Sequence, residues 1–519
     1  MPTIPARGKA ANAAKNSLDE VLRLARRGAY AEARALLEPL IARHPGDVEA
    51  LQLLGVITLQ QGRPDLAEAE LRRALALNPA HAIANSNLGL ALSQMNRDAE
   101  AVEHYDRAIA ADPQYIDALV NRGVALNKLK RYDEAIASQR RALELRPEHA
   151  GALSNLGMAL ANLNRHAEAI ACYEEARRIE PQSAAAQHNL GNALLLTGEF
   201  ARGWPQFAWR WLANLPRLAA EQPFWLGNDR QHGRFDLPHG VRCAINLPFW
   251  DGRATPDALL VWPEKGLGEL IMFASMLEEA RARVGRLTLI TDPRLIPLFQ
   301  RSFPQIEVIT LEAAQRRSDF RWQLPMGDLC GLFRPCAADF LRQRRAYLRA
   351  DPQRVAALQP ELPAGRRCGL AWFSKNVLIG SHKSLGPEPI RRLLGAAGWQ
   401  FVDLQYGDTR EIREELRRDT GVAITRVDSV DNFHDIEGLA ALIDSCDLVV
   451  TVSTATAHLA GALGKKVFLM LPHGQGRFWY WQAERDDALW YPNVRLFRQS
   501  QAGDWMAVVK QVVAALDGL

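Results

Sequence analysis

The distribution of hydrophobic residues changes near residue 200 and divides the chain into two parts. Before that point, apolar residues recur every three or four positions, which is typical of amphipathic helices. After it, short apolar runs of strand length alternate with helical stretches, as in ALLVWP at 258–263 and DLVVTV at 447–452. The pattern therefore predicts a helical array followed by an α/β region with parallel sheets.

Within the first part, small residues and prolines recur at intervals of 34 positions. Proline recurs at Pro45, Pro79, Pro113, Pro147 and Pro181. Glycine recurs at Gly55, Gly89, Gly123, Gly157 and Gly191. A small residue lets two antiparallel helices approach closely, and a proline ends the second helix. This pattern resembles the tetratricopeptide repeat, which implies a superhelix with a concave surface over 18–203, after a tail at 1–17 that we expect to be disordered.

An asparagine also recurs, two residues before four of the repeat glycines, at Asn87, Asn121, Asn155 and Asn189. Asparagine is a mediocre helix former, so its recurrence needs a reason. Amides on a concave face could bind the backbone of an extended acceptor peptide without reading its sequence. The series resembles the asparagine ladder of O-linked N-acetylglucosamine transferases. The alternative is that duplication copied a neutral polar residue.

The second part predicts two Rossmann-like halves, at 204–350 and 351–519. All 13 tryptophans lie after residue 203, and we expect the early aromatic pairs, Phe224–Trp225 and Phe249–Trp250, to pack at the junction. The first half contains a strand at 258–263, a glycine-containing loop, a helix at 270–282 and a strand at 287–291. Glu269 begins this helix, where it could act as a general base or simply complement the helix dipole.

The second half contains a strand–loop–helix–strand unit from Asp447 to Pro472. Its loop and first helical turn carry Ser453, Thr454, Thr456 and His458. A helix that begins beyond a parallel strand binds anions, so the unit predicts a diphosphate site. The alternative is an ordinary helix with Ser and Thr caps. A polar loop at 374–384 adds two cations, Lys375 and Lys383.

Composition restricts the partners. A net charge of +4 gives no strong attraction to nucleic acid. The chain has no apolar run of membrane-spanning length, and its six cysteines form no CxxC pair. We therefore expect a cytoplasmic protein with free thiols, no membrane span and no metal site.

Several separated segments of the second part resemble the heptosyltransferase-like family of glycosyltransferases with the GT-B fold. The segments are EKGLGELIMFAS, FVDLQYGD, DIEGLAALIDSCDLVVTVSTATAHLAGALGK and LWYPNVRLFRQ. The resemblance implies that Glu269, after Gly268, replaces the catalytic aspartate of the family. It implies a nucleotide-sugar site that includes Gln405, Ser453, Thr454, Ala455, Thr456 and His458. Lys375 is the better match to the phosphate-binding residue of the family, and Lys383 is the alternative. The aspartate that starts the phosphate loop of the family is replaced by Ser453.

The resemblance implies an inverting, metal-independent transfer in which a nucleotide-sugar is the donor substrate and no cofactor is needed. Glu269 would deprotonate the acceptor hydroxyl, and His458, with the loop and a lysine, would stabilise the departing diphosphate. With the repeats, the chain resembles bacterial repeat-guided protein O-glycosyltransferases, including those that modify flagellin.

Three functions follow from these patterns. The first is a protein glycosyltransferase whose repeats hold a protein acceptor, possibly flagellin-like. The second is an interaction scaffold whose transferase region has lost activity. The third, glycosylation of a small molecule or lipopolysaccharide, leaves the repeats without a purpose. The aromatic segment at 478–492 would form either a stacking wall for the sugar or base, or a packed loop under the last helix.

Overall fold

The structure is a computed structural model, and it describes residues 18–210, 247–263, 266–342, 345–376 and 379–519. The predicted tail at 1–17 and the pair Phe224–Trp225 lie outside these residues. The chain forms two compact units, 1–181 and 182–519. The predicted boundary at 203 falls inside a helix of the second unit, because the last helix pair of the array belongs to that unit.

Antiparallel helix pairs make up the array, as the 34-residue period predicts. The helices are α1 (18–26), α2 (Tyr30–Arg43), α3 (Val48–Gln60), α4 (Pro64–Leu77), α5 (Ala82–Gln94), α6 (Asp98–Ala111), α7 (Ile116–Lys128), α8 (Tyr132–Leu145), α9 (Ala150–Asn162), α10 (His166–Ile179), α11 (Ala184–Leu196) and α12 (Phe200–Phe207). The repeat glycines lie where paired helices cross. A Cβ at Gly89 would come within 2.8 Å of the Tyr105 ring, so only glycine permits this approach.

The turn inside each pair has one residue with left-handed backbone, and this position also recurs every 34 residues. Glycine occupies it at 28, 62 and 198, and asparagine at 96 and 164. Lys130 has a φ of 63° at the same position. A side chain with a Cβ is strained in this conformation.

Two parallel sheets form the second part. The strands are β1 (Thr255–Trp262), β2 (Val284–Ile290), β3 (Glu307–Ile309), β4 (Trp322–Pro325), β5 (Arg366–Ala371), β6 (Trp399–Asp403), β7 (Ile424–Thr425), β8 (Leu448–Val452), β9 (Lys466–Leu471) and β10 (Val494–Arg498). The first sheet has the order β3-β2-β1-β4, and the second has the order β10-β9-β8-β5-β6-β7. The predicted fold class, a helical repeat array followed by an α/β region, is confirmed.

Short helices connect these strands. They are α13 (Leu267–Ala274), α14 (Leu277–Arg281), α15 (Ile296–Ser302), α16 (Leu311–Gln315), α17 (Leu329–Phe333), α18 (Pro352–Leu358), α19 (Gly380–Lys383), α20 (Pro387–Leu394), α21 (Arg410–Thr420), α22 (Ile436–Asp444), α23 (Ala455–Ala462) and α24 (Trp505–Asp517). The helix predicted at 270–282 is therefore divided into α13 and α14. The hydrophobic pattern does not mark this break, because residues 270–277 are all buried.

Apolar side chains cover both faces of the second sheet. On β8, Val449 faces a core shared with the first half, whereas Leu448 and Val450 face a second core that includes α24. The aromatic segment at 478–492, for which a packed loop under the last helix was one of two alternatives, packs in the shared core, where Trp479, Trp481 and Trp490 are buried. No helix among the described residues is long and apolar enough to cross a membrane.

Candidate functional site

The first turns of α13 and α23 meet at the candidate site. Each helix follows a strand of a different sheet, β1 or β8, so the site lies at the carboxyl ends of both strands. A Cβ at Gly268 would lie 2.7 Å from Cδ2 of His458 and 3.4 Å from Cα of Ala455. Glycine at this position therefore permits direct contact between the two helix starts. The contact brings Glu269 and His458 into one neighbourhood.

The loop that leads into α23 keeps backbone donors available. Thr454 is the N-cap residue, but its side chain makes no capping hydrogen bond. Its hydroxyl lies 3.4 Å from the carbonyl oxygen of Val452 instead. The amides of Ala455 and Thr456 have no backbone acceptor among the described residues. These donors and the helix dipole make this helix start suitable for an anion.

Ser453 and Thr456 are buried beside these amides. The hydroxyl of Ser453 accepts a hydrogen bond from Nε1 of Trp481 at 2.8 Å. Ser453 therefore positions the loop through its side chain, and its carbonyl oxygen faces a lysine.

That lysine is Lys383, whose Nζ donates to the carbonyl oxygen of Ser453 at 3.0 Å. The ammonium also lies 4.9 Å from the centroid of the Phe478 ring. Only 5% of Lys383 is exposed. Burial lowers its pKa to about 8, and the charge of Glu269 limits the fall. The structure thus places a buried cation beside the candidate anion site.

Lys375, the better family match, lies elsewhere. It is exposed, and its Nζ is 5.9 Å from the centroid of the Tyr406 ring. Its backbone amide donates to the Tyr406 hydroxyl at 2.6 Å. The structure therefore brings the alternative, Lys383, and not Lys375, to the loop that leads into α23.

Glu269 lies in the first turn of α13 and is half-buried. Its charge acts on two groups of the second half, Lys383 and Tyr480. Burial raises the pKa of Tyr480, and the Glu269 charge raises it further. Glu269 is therefore in electrostatic contact with the buried lysine, although Glu269 and Lys383 belong to different halves of the second part.

His458 is 2% exposed and stacks on Trp481 with ring centroids 4.9 Å apart. Burial, followed by the charge of Lys383, lowers its pKa to about 3, so the imidazole is neutral at neutral pH. A charge-assisted bond from an imidazolium to diphosphate, which the sequence suggests, is therefore disfavoured.

A chain of hydroxyl groups fixes the tautomer of this imidazole. The Tyr347 hydroxyl donates to the carbonyl oxygen of Ile271 at 2.9 Å. Tyr347 must therefore accept the hydrogen bond that joins it to Tyr491. The single proton of Tyr491 is used in that bond, so its oxygen accepts from Nδ1 of His458 at 2.9 Å. Nε2 of His458 thus carries a lone pair, on the side of the ring that approaches Gly268.

Gln405 is fully buried and lies outside this cluster. Its Oε1 accepts hydrogen bonds from the amides of Trp372 and Phe373, both at 2.9 Å. It therefore holds the loop that follows β5. Its Nε2 has no partner among the described residues.

Sequence reasoning missed the roles of Tyr347, Trp481 and Tyr491. Tyr491 belongs to the segment LWYP, and no local pattern links it to His458. The aromatic segment at 478–492 is a packed loop, but it packs in the shared core and not under the last helix, since Trp479, Tyr480, Trp481, Trp490 and Tyr491 are all buried there. Phe478 is half-buried and contacts the Lys383 ammonium.

The repeated asparagines lie on the first helix of each pair. Successive first helices contact each other, α3 with α5, α5 with α7 and α7 with α9, more than second helices do in the described array. The first helices therefore line the inner side of the curve. Asn87, Asn121 and Asn155 are half-buried, and no hydrogen bond to their side chains is found among the described residues. Asn189 is also half-buried but belongs to the second unit.

Comparisons with known proteins agree with the repeat period. Two tetratricopeptide-repeat models match this chain, one at 114–182 and the other at 18–82, 58–116 and 154–217. The repeats are thus shown for the amino-terminal region, which is less than half of the chain.

Protein FlbA of Caulobacter vibrioides (strain ATCC 19089 / CIP 103742 / CB 15) is 31% identical over 349 residues. The match covers 62% of this chain, more than the repeats contain, so it extends into the α/β part. The chain spans 53% of FlbA, about half its length.

Two similar solved structures are both shorter than this chain. TTC0263, a thermophilic TPR protein of Thermus thermophilus, is 25% identical with a TM-score of 0.31, over 35% of this chain and 100% of its own. MamA 41-end from Desulfovibrio magneticus RS-1 is 23% identical with a TM-score of 0.30, over 33% of this chain and 96% of its own.

Proposed function

We propose that this chain, whose amino-terminal region consists of tetratricopeptide repeats, is a glycosyltransferase that moves a sugar from a nucleotide-sugar to a hydroxyl of a protein. The observation that carries the proposal is the meeting of two helix starts from two parallel sheets, with Glu269 on one side and Lys383 on the other. This arrangement has a candidate base and a candidate anion site in contact. The pair of parallel sheets resembles the GT-B fold.

The reaction is a single displacement at the anomeric carbon. The acceptor oxygen forms a bond to that carbon while the bond from the carbon to the phosphate oxygen breaks, which inverts the configuration. The acceptor proton passes to the Glu269 carboxylate. The electron pair of the broken bond leaves with the diphosphate, whose charge the amides of Ala455 and Thr456 and the Lys383 ammonium stabilise.

His458 has a positioning role in this proposal. Its neutral ring fills the space between α23 and Gly268, and its Nε2 lone pair can accept a hydrogen bond but cannot donate one. It therefore orients a hydroxyl or an amide at the junction and leaves the phosphate to Lys383.

The repeats hold the acceptor protein. The asparagine amides offer donors and acceptors to an extended backbone, and apolar side chains lie beside them on the same helices, including the exposed Ile83 and Met158. A flagellin-like protein in the cytoplasm is the acceptor that the resemblance to repeat-guided transferases suggests.

Thermal melting with a panel of nucleotide-sugars tests the proposal. One donor should raise the melting temperature, because a ligand that binds only the folded state stabilises it. Glu269→Gln should keep this shift and lower transfer to a protein acceptor by roughly 10²- to 10⁴-fold. If Glu269→Gln transfers sugar at the wild-type rate, the carboxylate only complements the helix dipole.

An interaction scaffold with an inactive transferase region is the second candidate. The observation that favours it is that the buried His458 fills the space between α23 and Gly268 and is itself packed on the buried Trp481 and Tyr491. The replacement of two family aspartates, by Ser453 and Glu269, points the same way. If no nucleotide-sugar shifts the melting temperature while a protein partner still binds to the repeats, the scaffold is correct.

A further inference from the structure

Gln482 has a backbone conformation that residues with a side chain rarely adopt. Its φ of 52° and ψ of 158° belong to a region that glycine enters freely and other residues enter at a cost. Among the described residues, the other non-glycine residues with positive φ are turn positions of the repeats, Asn96, Lys130 and Asn164. Gln482 is also buried, at 4% exposure. Such a conformation persists only where surrounding contacts fix it, and Gln482 has such contacts on both sides of its peptide.

The side chain of Gln482 bonds to the last turn of the repeat helix α11. Its Nε2 donates to the carbonyl oxygen of Leu195 at 3.0 Å and to that of Trp479 at 2.7 Å. The amide of Ala483 donates to the carbonyl oxygen of Leu196 at 2.8 Å. Carbonyl groups in the last turn of a helix lack donors from the helix itself, so the bonds from Gln482 and Ala483 attach this segment to the end of α11.

Two arginines hold the carbonyl groups of the same segment. Nη2 of Arg498 donates to the carbonyl oxygens of Trp481 and Gln482, at 2.8 and 3.0 Å. Nη2 of Arg477 donates to that of Ala483 at 2.7 Å. Burial, followed by the charge of Arg477, lowers the pKa of Arg498 to about 10. Three successive carbonyl groups are thus bound by two guanidinium groups, which fixes the strained peptide in one conformation.

The two residues before Gln482 contact the loop that leads into α23. Nε1 of Trp481 donates to the Ser453 hydroxyl, and the Tyr480 hydroxyl is hydrogen-bonded to the same side chain. Both aromatic residues belong to the short 3₁₀ turn Trp479–Trp481, which Gln482 follows directly. A shift of Gln482 would therefore move the partners of Ser453, next to the backbone amides at the start of α23.

The helix at the other end of this connection carries Asn189, the last asparagine of the ladder. Asn189 lies about two helical turns before Leu196 on α11, and both belong to the second compact unit. One helix therefore bears an acceptor-binding residue of the proposed function and, through its last turn, supports the loop of the candidate anion site. A site built on a rigid helix is held more precisely than one built on a loop.

We propose that Gln482 is a positioning residue, which holds the loop of the anion site at a fixed place relative to the last repeat helix and acts through Trp481. It supports the binding of the donor's diphosphate group without touching it. This inference rests on the proposed function, because the loop that Gln482 positions is the candidate anion site for that donor.

Calorimetry on the full chain with UDP, ADP, GDP, CDP and pyrophosphate tests the proposal. Gln482→Ala removes the amide but keeps the strained backbone. It should weaken both pyrophosphate and the best nucleoside diphosphate about three- to tenfold, the effect of misplacing one hydrogen bond. Gln482→Gly also lacks the amide but relieves the strain. It should melt at a higher temperature than Gln482→Ala and still bind the two ligands as weakly.

Gln139→Ala is the matched control. Gln139 is 1% exposed, and its Nε2 donates to a helix carbonyl oxygen, that of Val120, at 2.9 Å. Its replacement removes the same kind of buried amide bond from the repeats, in the first compact unit. It should lower the melting temperature and leave both affinities unchanged.

Three results would overturn the positioning role alone. The first is wild-type affinity in both Gln482 variants. The second is a recovery of affinity in Gln482→Gly, which would show that the strain matters and the amide does not. The third is an equal loss of affinity in Gln139→Ala, which would reflect general destabilisation. If Gln482→Ala does not fold, the affinity of Gln482→Gly decides. If the wild type binds neither pyrophosphate nor any of the four nucleotides, the proposed function fails together with this inference.

Discussion

Lys383→Met is the substitution that best separates a functional role of the buried lysine from a structural one. Methionine keeps most of the side-chain length but removes the charge. In the wild type the ammonium is 5% exposed and bonds to one carbonyl oxygen. The variant should therefore lose phosphate affinity while the apolar packing of the stem is kept.

The expected effects have opposite signs for binding and for stability. Losing a charge-assisted bond to the diphosphate costs about 1.5–3 kcal/mol, or roughly 10- to 150-fold in affinity. Burial lowers the pKa of Lys383 from 10.5 to about 8. This pKa difference means that burying the protonated lysine costs about 3 kcal/mol of folding free energy at neutral pH. Lys383→Met should thus raise the free energy of unfolding, by up to about 3 kcal/mol less the lost contacts with Ser453 and Phe478.

The sign of the pH dependence follows from the same shift. The pKa of Lys383 is lower in the folded than in the unfolded protein, so wild-type stability should increase as the pH rises from about 8 towards 10.5. Diphosphate affinity should fall over the same range, because the neutral amine must take up a proton on binding. Lys383→Met should show neither trend.

Calorimetry with the best nucleoside diphosphate between about pH 7.5 and 9.5, together with urea unfolding, measures both quantities. Lys375→Met is the control for the unfolding measurement, because it removes an exposed lysine close by in the sequence. It should leave stability within about 0.5 kcal/mol of the wild type. If Lys383→Met binds the diphosphate as tightly as the wild type does, or destabilises the fold, the lysine only stabilises the loop before α23 and the anion site is wrongly placed.

Three further predictions concern the repeats and the hydroxyl chain. In urea, the free energy of unfolding of Lys130→Gly should be about 1 kcal/mol higher than that of Lys130→Ala, because only glycine adopts the left-handed backbone without strain. Equal stability of the two variants would contradict this. Tyr491→Phe should lower the free energy of unfolding by about 1–3 kcal/mol and alter the ¹⁵N shifts of His458, since Nδ1 loses its acceptor; unchanged shifts would refute the tautomer. Replacing all four ladder residues, Asn87, Asn121, Asn155 and Asn189, with alanine should raise the KM for the acceptor protein while the rate of nucleotide-sugar hydrolysis stays constant. Each single replacement should cost only about 0.5–1.5 kcal/mol of acceptor binding and be nearly silent. A wild-type KM in the quadruple variant would exclude the ladder.

Features that depend on local pattern can be predicted from the amino-acid sequence. The 34-residue period placed the helix pairs, because each pair packs mainly on its sequence neighbours. Buried runs such as Lys466–Leu471 gave strands at the predicted residues. The sequence also identifies the glycine before Glu269 and predicts the helix start after Ser453, because each belongs to a short motif that directly follows a strand.

Which side chains contact each other depends on the three-dimensional fold and could not be predicted. Lys375 and Lys383 have the same charge and lie close together in the sequence, but only Lys383 bonds to Ser453 beside the candidate anion site, whereas Lys375 lies against Tyr406. The tautomer of His458 depends on Tyr347 and Tyr491, which reach it from distant parts of the chain. No local pattern encodes such contacts, because they arise where loops from separate strands converge at the edge of a sheet.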